Sequence, residues 1–405
     1  MRWVCNLRIR LACLCFLFLV LESNAKVYPS AANTWPSWKR VLEGKRVGLV
    51  IHKSSMIGGR LMPEVLLESG VDVRTIFVPE HGLRVDFEAG AMVGDHTDAV
   101  TGLPVVSLYG KRKGPEPTHT DSLDIIVFDL QDVGVRFYTY LSTLHYVMEA
   151  CSRASITLLV LDRPNVNDYT VDGPVLDPSY KSFVGMHPIP VMHGMTMGEL
   201  AKMIKGESWA KGSNNLNLQV WKMENYQRGL RLQPPVPPSP NLRDSIALEW
   251  YPTLCFFEGC PVSVGRGTNS PFTLIGSPWM GIKDTCFIPR SIPGRAQSPL
   301  FMNQNCCGFS LGKFKKSRDQ GISYEILLKV YKDFQKQHQS IGQDKIKTVR
   351  NDAFFNSFFD QLSGGPALRN ALTKHHDANK IRSLFKPALD DFRRKRKPYL
   401  LYDDL

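Results

Sequence analysis

Ile125-Ile126-Val127-Phe128-Asp129-Leu130-Gln131-Asp132-Val133-Gly134-Val135-Arg136-Phe137-Tyr138 is the stretch that decides how this chain is read. Four apolar residues without alternation run directly into a turn bearing two carboxylates and an arginine. A strand that is apolar on both sides must be covered on both sides, which is the condition of a parallel sheet flanked by helices. In open sheets of that kind the ligand crevice lies outside the carboxyl ends of the strands.

The same pattern recurs outward in both directions. Val47–Ile51, Val73–Val78, Val105–Leu108 and Ile156–Leu161 are further apolar runs of strand length, and Leu218–Met223 reads as another strand. Leu61–Ser69 and Tyr140–Ser152 carry helical spacing between them. Strands alternating with helices specify an α/β fold with a mostly parallel sheet. A third helix opens after His193-Gly194-Met195 and runs to Lys205. Thr196 with Glu199 three residues on is a capping box, so Glu199 is read as structural.

The strand ends carry the chemistry. They read Pro79-Glu80-His81-Gly82, Ser107-Leu108-Tyr109-Gly110, Asp129 through Tyr138, and Asp162-Arg163-Pro164-Asn165. Each alone could be a capped turn, but four in succession exceed what turns require. Glu80, beside His81 in a crevice, has the setting of a general acid or base. Asp129 and Asp132 are candidates to orient a side chain or hold a sugar hydroxyl. Arg136 and Arg266 are candidates to grip a substrate carboxylate in bidentate fashion. Tyr138 is a candidate to stack on a sugar ring. Arg163, Asn165 and His193 complete the substrate-binding set.

Pro234-Pro235-Val236-Pro237-Pro238-Ser239-Pro240 is the sharpest shift in composition and is expected to be an extended interdomain connector. The expected division is 1–25, 26–240 and 241–405. Beyond the connector, Phe257-Glu258-Gly259 and Ser263-Val264-Gly265-Arg266-Gly267-Thr268 form a charged, Gly-rich loop, in which Glu258 could face the same cleft as Glu80. The last third is helical by pattern over Ser323–Gln337, Asp352–Leu362, Pro366–His375 and Ile381–Arg394.

The 405 residues, 43% apolar and 22% charged, have the balance of a globular chain, which excludes disorder and coiled coil as its main character. The net charge of +12 raises the question of an anionic partner. Met1–Ala25 reads as an export signal: Arg2, Arg8 and Arg10 precede the apolar run Leu11–Leu21, and Ser23-Asn24-Ala25 supplies the cleavage pattern. No later run is long enough to span a membrane, so the mature chain is expected to have no integral membrane segment. Beyond the signal, Cys151, Cys255, Cys260, Cys286, Cys306 and Cys307 remain, and any disulfide is expected in the second half. Arg393-Arg394-Lys395-Arg396-Lys397 is read as a solvated helix end. It lacks aromatic interleaving, and no nucleic-acid partner is expected. Nucleophile-elbow, phosphate-loop, dinucleotide and HExxH patterns are absent. The His52, His81, His96, His145 and His193 set, with Asp95, Asp98 and Asp129, has no metal-ligand spacing, so neither metal nor cofactor is expected.

The ordered motifs resemble one family. They are Val78-Pro79-Glu80-His81-Gly82-Leu83, Gly102-Leu103-Pro104-Val105, Ser107–Gly110, Phe128–Gly134, Arg136–Tyr140, Leu161–Asn165, Gly173-Pro174, Ser182–Gly185, His193–Thr196, Ser239-Pro240-Asn241, Glu258-Gly259, Ser263–Thr268, Pro271-Phe272 and Tyr399–Tyr402. From about Gly44 onward the chain is similar to the exo-β-N-acetylmuramidase (NamZ-like) family, long known only as a domain of unknown function. The resemblance implies a Rossmann-like first domain, a smaller helix-rich α+β second domain, and an active site in the cleft between them. It implies release of N-acetylmuramic acid from non-reducing ends of peptidoglycan fragments, with Glu80 as the catalytic carboxylate and His81 as its neighbour. Glu258, Asp132 or the substrate's own acetamide would act as the second group. Arg136 or Arg266 would select the lactyl carboxylate of the sugar. Two departures touch the implied cleft: Ile51-His52-Lys53-Ser54-Ser55-Met56 replaces the family's Thr-Asn and Thr-Gly turn, and Cys260-Pro261 follows Glu258-Gly259 where the family often has Thr-Asn. The rival readings are a metal-dependent hydrolase built on His81, Asp129 and Asp132, and a non-catalytic binder of wall fragments.

Overall fold

A computed structural model of the chain describes residues 28–84, 90–91, 94–314, 316, 320–341 and 354–404. The Met1–Ala25 signal reading and the start of the expected Asp352–Leu362 helix lie outside the described residues.

The six expected strands and a short edge strand that the sequence did not mark form one sheet of β1 (Arg46–Ile51), β2 (Asp72–Val78), the unmarked β3 (His96–Thr97), β4 (Pro104–Ser107), β5 (Ile125–Asp129), β6 (Thr157–Leu161) and β7 (Leu218–Trp221). Their spatial order is β7-β6-β5-β1-β2-β4-β3, and every pair is parallel except β3 with β4. Without the edge strand β3, this is the order of a doubly wound, Rossmann-like sheet, with its switch point between β1 and β5. All residues of β5 and β6 are buried, as their unalternated sequences require.

The two faces sort by period-two alternation. Leu49, Ile51, Val127 and Leu159 join Trp38 and Met62 in one core. Val50, Ile126, Phe128 and Val160 join the other, against α2 (Tyr140–Ala154) and α3 (Met197–Gly206). In α2, Leu141, Leu144, Val147, Met148 and Cys151 make the buried stripe. The capping box on α3 forms as expected: Thr196 N–H donates to Glu199 Oε2 at 2.9 Å, and Glu199 N–H to Thr196 Oγ1 at 3.3 Å.

The C-terminal part adds α4 (Ser245–Leu254), an antiparallel sheet of β8 (Leu274–Ser277), β9 (Thr285–Phe287) and β10 (Cys306–Ser310), then α5 (Tyr324–Ile341), α6 (Ser357–Ser363), α7 (Ala367–Lys374) and α8 (Ala378–Arg396). The sheet order is β8-β10-β9. Cys286 and Cys307 face each other in the β9–β10 register and are joined by a disulfide. Cys151, Cys255, Cys260 and Cys306 are buried and free.

Two expectations need correction. The proline run is not a free connector. Pro238 O accepts hydrogen bonds from Tyr138 Oη at 2.8 Å and Tyr140 Oη at 3.1 Å, which pin the run to the sheet's carboxyl edge. One apolar core continues past it, from Val50 and Phe128 through Phe256 and Phe359 to Phe392. Nor is the basic run only a solvated end. Arg396 is buried and donates to Gly194 O at 2.7 Å and Asp404 Oδ1 at 2.6 Å. Arg393 pairs with Asp390, Arg394 with Asp391 and Lys395 with Glu207. No helix among the described residues is long and apolar enough to cross a membrane.

Candidate active site

A cavity of about 730 Å³ lies between the ends of β2 and β4 and the C-terminal part. Glu80, His81, Tyr109, Tyr138 and Thr139 line it from one side, and Cys255, Glu258, Cys260, Arg266 and Arg295 from the other.

Glu80 is aimed by a tight turn. Gly82 N–H donates to Pro79 O at 3.1 Å, and His81, the third residue of that turn, has φ 77°. That is the type II geometry, in which the third position normally takes glycine. A non-glycine residue held there carries strain, and such strain gathers where side-chain direction matters. His81 is itself buried at 3% exposure. The Glu80 carboxylate accepts from Gly90 N–H at 2.8 Å and from Thr139 Oγ1 at 2.7 Å. Tyr109 lines the cavity close enough to the same carboxylate to feel its charge. Burial first, then the Glu80 charge, raises that phenol well above its ordinary value, so it stays a protonated donor.

The opposite wall is built on the short 3₁₀ turn Cys255–Gly259. Arg266 Nε donates to Glu258 Oε1 at 2.5 Å, and the guanidinium lies 5.0 Å from the Phe272 ring. Burial works against the guanidinium charge, but Glu258 more than offsets it and Arg266 is raised above its ordinary value. A Cβ on Gly265, at φ +78°, would come within 2.8 Å of Ser270 O, so this loop closes only with glycine. Cys255 Sγ lies 3.6 Å from Glu258 Oε2. Burial, then the Glu258 charge, pushes its thiol far up, which excludes it as a thiolate nucleophile.

Apart from Tyr138, the remaining predicted site residues do not line this cavity. Asp129 is fully buried and receives Arg163 Nε at 2.5 Å and Nη2 at 2.8 Å. Arg163 also donates to Ser54 O at 2.8 Å. Asn165 holds Met195 O at 2.9 Å and Asn167 N–H at 2.8 Å. It packs so closely on Gly134 that a Cβ there would fall 1.7 Å from Asn165 Oδ1. Arg136 is not a carboxylate clamp: it is 0% exposed and donates to the carbonyls of Pro174, Ile189 and Leu362. Asp132 accepts from Gly134 N–H at 2.6 Å, and burial raises its carboxyl to about 7. His193 is buried, with Nδ1 accepting from Met195 N–H, and burial, helped by Arg396, lowers it to about 3. Tyr138 does line the cavity, but its hydroxyl belongs to Pro238 O.

The unusual turn after β1 also falls elsewhere. His52 Nε2 accepts from Gln131 N–H at 3.0 Å, and burial, then Arg163, holds its imidazole neutral. His52, Ser55 and Arg163 thus fill the β1/β5 switch point, where a doubly wound sheet usually leaves its ligand crevice. Of the two departures from the family pattern, only Cys260 lines the cavity.

The whole arrangement can be set against known proteins. The family model for the N-terminal part of exo-β-N-acetylmuramidase NamZ matches residues 47–246, and that for its C-terminal part matches 249–402. The chain belongs to the NamZ family. It is 36% identical over 396 residues to the peptidoglycan β-N-acetylmuramidase NamZ of Bacillus subtilis (strain 168), covering 93% of this chain and 92% of that one. Crystal structures of two DUF1343-family proteins from Bacteroides fragilis superpose with TM-scores of 0.82 and 0.75, at 37% and 26% identity. Each comparison covers 93% of this chain and 99% of the other.

In this NamZ-family member several cavity residues escaped the sequence reading. Tyr109 and Thr139 lay inside quoted motifs without an assigned role. Phe183 likewise lay inside the quoted Ser182–Gly185 motif, whereas Lys113 and Arg295 carried no local signal, because only the folded chain brings them to the cavity.

Proposed function

We propose that this NamZ-family chain is an exo-acting glycoside hydrolase that releases N-acetylmuramic acid from non-reducing ends of peptidoglycan fragments. The observation that carries the reading is Glu80, turned by the strained Pro79–Gly82 turn into a cavity whose far wall holds the Glu258–Arg266 pair. The Bacillus relative's name supplies the substrate class.

In the reacting complex Glu80 carries a proton on one carboxyl oxygen and gives it to the glycosidic oxygen as the bond from the anomeric carbon breaks. The bonding electrons leave with that oxygen, and positive charge develops on the sugar ring. Glu258, paired with Arg266, faces the sugar from the opposite wall. Water adds its hydroxyl to the anomeric carbon, and its second proton passes to a carboxylate of the site, which balances the proton that Glu80 gave up. Thr139 and Gly90 orient the Glu80 carboxyl. Incubation with defined muropeptide ends should release free N-acetylmuramic acid. Glu80→Gln should slow that release by about 10²- to 10⁴-fold while leaving the thermal transition in place. Undiminished turnover by the variant would remove Glu80 from the acid's role.

The metal-dependent rival loses its ligands here. Asp129 gives both oxygens to Arg163, and no group of three His, Cys, Asp or Glu side chains among the described residues is placed to hold a metal ion. We further infer that the chain is exported. The Met1–Ala25 sequence supports this, as does the Cys286–Cys307 disulfide, which suits an oxidising compartment. N-terminal sequencing of the secreted protein should begin after Ala25.

A further inference from the structure

The cations that line the cavity are Arg266, Lys113 and Arg295. Arg266 is neutralised by Glu258. Neither Lys113 nor Arg295 has a carboxylate partner among the described residues. The sequence-predicted anion clamps are thus unavailable, one inside the core and one already paired, while two other cations face the cavity.

Lys113 is the better placed of the two. Its Nζ lies 4.1 Å from the Phe183 ring centroid and 5.1 Å from that of Tyr109, a geometry in which aromatic faces attract a cation. The two rings stand 5.9 Å apart. Phe183 is braced behind by Tyr146, stacked at 6.4 Å, and Phe183 O accepts from Ser142 Oγ at 2.6 Å. The ammonium is therefore held on a fixed aromatic wall. Tyr109 forms part of that wall and lines the same cavity as Glu80, near enough for the Glu80 charge to act on its hydroxyl. A sugar bound along Tyr109 and Phe183 would lie beside Lys113 in the cavity that Glu80 lines. Arg295 comes from the opposite wall, beside the exposed Ser298 and Leu300.

We propose that Lys113 is the specificity-determining cation of this site and binds the lactyl carboxylate of the sugar cleaved by Glu80. This rests on the glycosidase reading above. An ammonium half-shielded by two rings pairs with a carboxylate more strongly than a fully hydrated one does.

The test compares an aryl β-glycoside of N-acetylmuramic acid with its lactyl methyl ester. The two share sugar and leaving group and differ only in charge. Wild type should prefer the acid. Lys113→Met should lower kcat/KM for the acid by roughly 10- to 100-fold, mostly through KM, and bring the acid-to-ester ratio close to one. Lys113→Arg should restore most of the preference. Lys113→Gln, which keeps a polar donor but removes the charge, should behave as Lys113→Met does. A wild-type ratio in Lys113→Met, or collapse of the ratio in Arg295→Met instead, would overturn the assignment. Failure of wild type to cleave either glycoside would overturn the glycosidase reading itself, which is a separate result.

Discussion

The carboxyl edge of one sheet has two halves, and they met opposite fates. At the ends of β2 and β4, Glu80 and Tyr109 open onto the cavity. At the ends of β5 and β6, Asp129, Asp162, Arg163 and Asn165 are buried and bonded to one another or to backbone. In sequence the two halves look alike: an apolar strand, then ionisable residues. The difference lies in what covers them. The proline run and Tyr28 close the second half, and Tyr28 Oη donates to Gln131 Oε1 at 2.9 Å. The first half faces the C-terminal wall across open space. A buried charge must find a partner, whereas a charge at a cavity can wait for a substrate.

Substitutions on the two halves should separate activity from stability. The largest effect is expected at Glu80. Glu80→Gln should lower kcat by about 10²- to 10⁴-fold with little change in melting temperature. A stability loss as large as the activity loss would erase the distinction between the halves. Arg163→Met should do the reverse, leaving Asp129 buried and unpaired at a cost of about 3–5 kcal/mol in chemical denaturation. Its folded fraction should still turn over substrate.

Asp132 sharpens the contrast through pH. Its carboxyl titrates at about 7 when folded against an ordinary 3.8, because burial disfavours the charge. As pH rises through that window the unfolded chain loses its proton first, so Asp132 erodes stability between 3.8 and about 7. Asp132→Asn should flatten the stability profile there and gain on wild type at the upper end. An identical pH slope in the variant would show that the group titrates normally. The smallest effect is expected at Tyr138→Phe, which removes one of the two hydroxyls on Pro238 O and should cost about 1 kcal/mol. Calorimetry would read it.

Much of the fold was legible because its causes are local. Periodicity placed β1, β2, β5, β6, α2 and α3 within a residue or two of their observed limits. The Thr196–Glu199 box marked a helix start, since both donors and both acceptors lie within one turn. The α4 helix went unread, because Pro252 inside it and the proline run before it argue against a helix; burial of Leu248, Tyr251 and Leu254 overrides both. For the site, the local turn marked Glu80, and the Gly-rich loop marked Glu258 and Arg266. Arg136 misled, since an arginine with only carbonyl partners cannot be told in sequence from one awaiting a carboxylate.

By itself the sequence determined the α/β class, the main strands and helices of the first half, the family and the residues worth testing. These follow from alternation, capping and turn chemistry within a few residues. Only the tertiary structure decided which strand ends are filled and which are open. It joined Glu80 to a wall more than 170 residues away in the chain, and it brought Lys113 onto Tyr109 and Phe183. The physical reason is that burial and charge pairing depend on what packs above a residue, and no local spacing records that.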